Sequence, residues 1–266
     1  MTKAHVLIVV LAAGKGTRMK SALPKVLHKV AGRSMLGHVL DLAMASGADR
    51  VAVVVGPDMA AVEAEARDCC PGVETFVQQD QRGTADAVLA ARPALENHQG
   101  DVIVLYADTP LIQPVTINAI RNELDIGSNV AVLGFRAKNP TGYGRLLTDA
   151  SGELLAIREE RDATDAARQI NLCNSGVMAF RVADLVGLLA RIGSENAKQE
   201  YYLTDAVGIA RQDGLKAAVV ECEESEVLGV NSRNQLAVAE RLWQMRARQE
   251  HMANGVTMIA PETVFL

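Results

Sequence analysis

His5-Val-Leu-Ile-Val-Val10 runs straight into Leu11-Ala-Ala-Gly-Lys-Gly-Thr-Arg-Met-Lys-Ser-Ala-Leu-Pro-Lys25. The first run is apolar and rich in β-branched residues, so it reads as a buried opening strand. The second is a small, glycine-bearing loop with four cations, Lys15, Arg18, Lys20 and Lys25. Such a loop lets backbone N–H groups approach an anion closely while the cations neutralise it. The expected anion is a polyphosphate. Two common phosphate loops are excluded. There is no Gly-x-x-x-x-Gly-Lys-Ser/Thr, and Met19 stands where a dinucleotide fingerprint needs Gly or Ala.

Working outward, strand-like runs at 5–12, 50–56, 73–78 and 101–107 alternate with helical patterns near 34–46, 58–68 and 84–97. A helix near 115–126 and a strand at 129–137 follow. This alternation predicts an α/β fold: a Rossmann-like, mostly parallel mixed sheet flanked by helices. Residues 141–170 are turn-rich and charged, with Asp149-Ala-Ser-Gly152 as a hairpin turn. A strand at 171–180, helices at 181–192 and 199–213, and a strand at 216–221 complete the pattern. Residues 231–251 predict one long helix capped by Asn231 or Ser232. Its stripe of Leu236, Ala239, Leu242 and Trp243 faces the body. The expected organisation is one domain over 1–230, divided into a first half to about 128 and a second half from 129. A helix over 231–254 and a tail over 255–266 follow.

The 266 residues are 49% hydrophobic and 22% charged, with a net charge of −5. An acidic chain argues against a nucleic-acid surface, so the basic loop reads as a local site. No apolar run reaches 18 residues, which argues against a membrane span. Four cysteines, at 69, 70, 173 and 222, show no zinc or disulfide spacing and read as reduced cytoplasmic thiols.

The pattern Leu-x-x-Gly-x-Gly-Thr-Arg-Met with a following Pro-Lys resembles the signature of the sugar-nucleotide pyrophosphorylases. Within that superfamily it is most similar to the N-acetylglucosamine-1-phosphate uridyltransferases. Gln81-Arg-Gly-Thr84, Leu105-Tyr-Ala-Asp-Thr-Pro-Leu111, Pro140-Thr-Gly-Tyr-Gly-Arg145, Asp162-Ala-Thr164, Asn174-Ser-Gly176, Glu200-Tyr-Tyr-Leu-Thr-Asp205 and Gly229-Val-Asn231 carry the likeness through nearly the whole chain. One departure is Ala107, where many members carry Gly. The resemblance implies the nucleotide-diphospho-sugar transferase fold and the substrates UTP and N-acetylglucosamine-1-phosphate. It also implies a Mg²⁺ cofactor and a role in cell-envelope synthesis. The bifunctional members continue into a β-helix acetyltransferase domain; without it the chain is expected to be a monomer.

In an open parallel sheet, ligands bind beyond the carboxyl ends of the strands. Asp108 follows the strand 101–107, so it and the basic loop are expected to face one crevice. A carboxylate beside phosphates needs a cation, and hard oxygen ligands select Mg²⁺; an Asp before Thr-Pro also forms turns. The resemblance implies Asn231 as second metal ligand, in competition with its capping role. Arg18, assisted by Lys15, is assigned to the leaving pyrophosphate, and Lys25 to the α-phosphate. Arg18, Lys25 and Asp108 form the catalytic set, and Lys15 and Lys25 also count among the nucleotide-binding residues. Leu11, Ala12, Ala13, Gly14, Gln78, Gly83 and Thr84 match the nucleotide-binding positions, Thr84 being equally suited to cap the helix 84–97. Tyr106, Gly144, Glu159, Asn174, Glu200, Tyr202 and Thr204 match the sugar side; Glu160 competes with Glu159, and one of Tyr201 and Tyr202 is expected in the core. The alternatives are another pair, such as dTTP with glucose-1-phosphate, or a catalytically silent sugar-nucleotide-binding module.

Overall fold

The computed structural model describes residues 5–266, and its first element is the apolar run, β1 (Val6–Leu11), buried along its whole length. Two single-turn 3-10 helices at Thr17–Met19 and Lys25–Leu27 follow, then a small hairpin of β2 (Lys29–Val30) and β3 (Arg33–Ser34). The first half of the chain continues with α1 (Met35–Ala45), β4 (Arg50–Val55), α2 (Ala60–Cys69), β5 (Glu74–Val77), α3 (Thr84–Ala90), α4 (Arg92–Glu96), β6 (Asp101–Tyr106) and α5 (Pro114–Asp125). Next come β7 (Val130–Arg136), β8 (Arg145–Thr148), β9 (Leu154–Arg158), α6 (Asp165–Arg168), β10 (Leu172–Arg181), α7 (Val182–Leu189), α8 (Asp205–Gln212), β11 (Ala217–Cys222) and α9 (Arg233–Ala253).

The main path of the large sheet runs β11-β7-β10-β6-β1-β4-β5. All neighbours pair in parallel except β10, which runs antiparallel to both β6 and β7. The alternation of side chains along β1 explains the layers. Val6, Ile8 and Val10 pack with α1, α2 and α5 on one face, while Leu7, Val9 and Leu11 pack with α3, α4, α7 and α8 on the other. Each fully buried aliphatic side chain contributes about 1.5–3 kcal/mol. A central strand covered on both faces is therefore a rigid place from which to hang a loop.

The chain leaves β1 for β4 on one side, then crosses to β6 on the other. This is a switch point, and it opens a crevice at the carboxyl ends of β1 and β6. The two ends are level: Leu11 stands opposite Tyr106, and Ala107 N donates to Leu11 O at 3.1 Å. Ala107 keeps a negative φ, so alanine fits there without strain.

Two expectations need correction and one is met. The helix predicted over 84–97 is two helices, because Pro93 cannot donate to the helical ladder and α4 restarts with it in its first turn. The turn-rich stretch 141–170 contains the hairpin β8–β9, turned at Asp149–Gly152 as expected, where Asp149 Oδ1 accepts from Ser151 N at 2.8 Å. Residues 199–204, predicted helical, are irregular. Gln199 has a φ of +56°, and Tyr201 pairs its N–H with Arg82 O and its carbonyl with Ala85 N. Tertiary pairing thus outcompetes helix formation there.

The long helix α9 starts where Ser232 accepts a hydrogen bond from Gln235 N. Ala239 is buried against Val30, Met35, Leu111 and Val230, with Leu236, Leu242 and Trp243 alongside. No helix among the described residues is long and apolar enough to cross a membrane.

Candidate active site

Gly16 begins the site. Its φ of +62° is left-handed, and a Cβ there would lie 2.4 Å from the Lys25 Cβ. Only glycine lets the loop fold so tightly onto Lys25. Met19 anchors the loop by burying its side chain, whereas Lys15, Arg18 and Lys20 stand exposed, with no ion pair to any described residue. The open space above Gly14, where a Cβ would meet nothing within 4 Å, leaves its backbone accessible.

Lys25 turns inward. Its Nζ donates to Asp108 Oδ2 at 2.5 Å and to Asn231 Oδ1 at 2.9 Å. The two side chains come from the ends of β6 and from the approach to α9, and they converge on one cation. Ser232 caps α9, so the Asn231 amide is released from capping and its oxygen accepts from Lys25. Val230 N donates to Asp108 O at 2.9 Å, locking the two loops together. Arg233 adds a tie to the glycine loop, donating to Met19 O at 3.2 Å.

A cavity of about 420 Å³ lies beside this trio. It is lined by Leu11–Lys15, Lys25, Gln78, Gln81, Gly83, Thr84, Tyr106, Asp108 and Glu200 among others. A larger hollow of about 940 Å³ flanked by Glu221–Glu226 shares none of these residues and has no glycine in its lining. Gly83 is conformationally demanding, with φ +130°. Thr84 does not cap α3; its hydroxyl accepts from Leu203 N at 2.9 Å. Gln78 is buried and uses its amide nitrogen internally, toward Gly83 O and Asp86. The sequence reading missed Gln81 as a wall residue. Its Nε2 donates to Ala13 O at 2.6 Å, and its φ of +48° is signalled by no residue pattern.

The sugar-side candidates gather on β8, β9, β10 and the loop before α8. Gly144 is buried against Glu159 and Asn174, and its carbonyl accepts from Asn174 N at 2.8 Å. Thr204 Oγ1 donates to Glu159 Oε1 at 3.2 Å. Burial holds the Glu159 carboxyl above its ordinary range, with the Thr204 hydrogen bond and Lys198 opposing. Glu160 points elsewhere, pairing with the buried Arg145 at 2.8 Å. Tyr106 joins the two regions. It lines the cavity, and its ring packs on Gly176, where a Cβ would sit 2.7 Å from Cε2. Its phenol is raised by burial, with the Glu159 and Asp108 charges adding to the shift. Tyr202 is the more buried of the tyrosine pair, and its hydroxyl has no partner among the described residues. Burial, with Asp162 and Glu200 nearby, pushes it up to about 12. Glu200, expected on the sugar side, lines the same cavity as Gly14 and Lys15. Arg18 does not line it; it stands at the exposed turn beyond Gly16.

The geometry thus offers an open cationic loop, a carboxylate–amide pair sharing a cation, and a walled pocket. A family model for the MobA-like NTP transferase domain matches residues 8–171. Among curated relatives, the bifunctional protein GlmU of Azorhizobium caulinodans is 59% identical over 266 residues, all of this chain and 59% of the relative. The bifunctional protein GlmU of Xanthobacter autotrophicus is 58% identical over the same shares. That of Agrobacterium fabrum is 52% identical over 260 residues, 98% of this chain and 57% of the relative. The chain therefore spans somewhat under three fifths of the length of these relatives.

Proposed function

The chain belongs to the MobA-like NTP transferase family, and from that premise we propose that it joins UTP to N-acetylglucosamine-1-phosphate, forming UDP-N-acetylglucosamine and pyrophosphate. In this reading an oxygen of the sugar phosphate attacks the α-phosphorus of UTP in line. The bond from that phosphorus to the bridging oxygen breaks, and its electron pair leaves with pyrophosphate. Such transfers depend on positioning and on stabilising negative charge. The cationic loop is suited to the second task. Arg18 offers a planar fork to the leaving group, with Lys15 beside it. Lys25, held at the crevice floor, supplies a compact charge for the α-phosphate.

The observation that carries the proposal is the convergence of Asp108 and Asn231 on the Lys25 ammonium. One anionic and one neutral oxygen donor already sharing a cation are a fitting donor set for Mg²⁺, which takes few protein ligands and completes its shell with phosphates and water. Asp108 and Asn231 would hold it. When bound, the ion would neutralise charge on the phosphates. Gly144, Glu159, Asn174 and Thr204 would orient the sugar, and Tyr106 would separate sugar from base.

The test is to incubate the protein with UTP, N-acetylglucosamine-1-phosphate and Mg²⁺, reading pyrophosphate release and product mass. Release that requires both substrates is expected. Release with dTTP and glucose-1-phosphate instead, or binding of sugar nucleotide without release, would overturn the assignment.

A further inference from the structure

Gln78 follows β5, and its backbone N–H is tied to Val55 O at 2.8 Å. Its side chain is only 5% exposed. The amide nitrogen carries two hydrogens, and both are engaged, one by Gly83 O at 2.9 Å and one by Asp86 Oδ2 at 2.8 Å. The orientation follows from chemistry. Turned the other way, the amide oxygen would face a carbonyl and a carboxylate, and two hydrogen bonds would become two repulsions. The oxygen Oε1 is therefore the group left to offer, and no donor among the described residues reaches it. Gln78 lines the 420 Å³ cavity beside the Gly14 loop.

Asp86 is itself held. It accepts from Arg82 N at 3.3 Å, Nε at 3.2 Å and one terminal guanidinium nitrogen at 2.9 Å. Burial alone would raise its carboxyl, but the Gln78 and Arg82 hydrogen bonds outweigh it and keep the group ionised. Ionised, it is an acceptor only, so it cannot support the flipped amide.

We infer that Asp86 is a positioning residue for base selection: by fixing the Gln78 amide, it makes the cavity present an acceptor and no donor at that point. A pyrimidine with a ring N3–H, uracil or thymine, supplies the matching donor. Cytosine meets Oε1 with a lone pair at N3 and is disfavoured. The inference rests on reading the cavity as the base pocket of the proposed transferase, and it adds the residue that enforces the choice.

The test is titration calorimetry of UTP and of CTP, with Mg²⁺, against the full chain and its Asp86→Ala and Asp86→Asn variants. The wild type is expected to favour UTP. Asp86→Ala frees one amide hydrogen, and the UTP-to-CTP affinity ratio should fall about five- to tenfold, the worth of one buried hydrogen bond. Asp86→Asn keeps an acceptor oxygen while losing the charge, so its ratio should stay close to the wild-type value. A merely structural role would weaken both nucleotides together and leave the ratio alone. Should circular dichroism show Asp86→Ala unfolded, Asp86→Leu fills the space without an acceptor and should lower the ratio likewise. An unchanged ratio in the folded Ala or Leu variant, equal losses in Ala and Asn, or a wild type indifferent to the base overturns the inference. Pyrophosphate release is scored separately. A protein that selects UTP by this route but releases no pyrophosphate keeps the inference and loses the proposed reaction.

Discussion

Gly83→Ala is the substitution whose cost follows most directly from the structure. Gly83 sits at φ +130° and ψ −178°, a region open essentially to glycine alone. Forcing an alanine there costs about 1–3 kcal/mol in backbone strain. The new Cβ would also lie 2.5 Å from Tyr201 O and 2.7 Å from Tyr201 N. These are backbone atoms, and neither can retreat freely. Tyr201 N donates to Arg82 O at 2.8 Å, and Tyr201 O accepts from Ala85 N at 2.9 Å. Relief of the clash stretches or breaks both bonds, each worth about 0.5–1.5 kcal/mol. A total loss of roughly 2–6 kcal/mol is expected. Gly127→Ala is the control, since Gly127 also has positive φ, +112°, but a Cβ there meets nothing within 4 Å. It should show the strain without the clash. Urea unfolding of both variants, with m-values compared, measures the difference. Because Gly83 O also holds Gln78, Gly83→Ala should weaken UTP binding, whereas Gly127→Ala should not. If the two variants unfold within about 0.5 kcal/mol of each other, the close approach to Tyr201 is not what makes glycine necessary.

Asp108→Asn should leave the fold intact and lower turnover about a hundredfold or more, since it removes the only anionic donor of the trio; near-normal steady-state rates at limiting Mg²⁺ would sink the metal assignment. Arg18→Ala should depress kcat more than UTP affinity, because the contact strengthens as charge develops on the leaving group; a change confined to KM contradicts that role. Glu159→Gln should raise stability at neutral and higher pH. The buried carboxyl has a raised pKa in the folded state, so its contribution is fully present below the ordinary carboxylate range and is lost as pH rises through the folded value. Thermal melts across pH 4–8 should show the variant's advantage growing upward, while the KM for the sugar phosphate increases. An advantage that is constant with pH would assign the effect to packing instead.

Much of this was legible in the chain itself. The opening strand, its glycine loop and the alternation of apolar runs with helical patterns determine a mostly parallel sheet with its crevice at the β1–β6 switch point. Asp149 as a turn former and the stripe on α9 likewise announce themselves through local chemistry. The candidate residues Lys25, Asp108 and Gln78 were visible as residue types in a telling order. Backbone alternatives were less so. Residues 199–204 have helical neighbours, yet their pairing with 82–85 decides their conformation, and that pairing joins segments more than a hundred residues apart.

The sequence by itself determined which groups the protein owns: a cationic glycine loop, one carboxylate at a strand end, an amide before a long helix. Those follow from covalent order, because each lies within a few residues of the element that presents it. Only the tertiary structure decided that Lys25, Asp108 and Asn231 share one point, that Ser232 and not Asn231 caps α9, and that Asp86 commits the Gln78 amide. Lys25 and Asn231 are 206 positions apart. Their meeting is set by the packing of α9 on the β2–β3 hairpin and of the sheet between its helices, a sum of many weak contacts that no short stretch of sequence records.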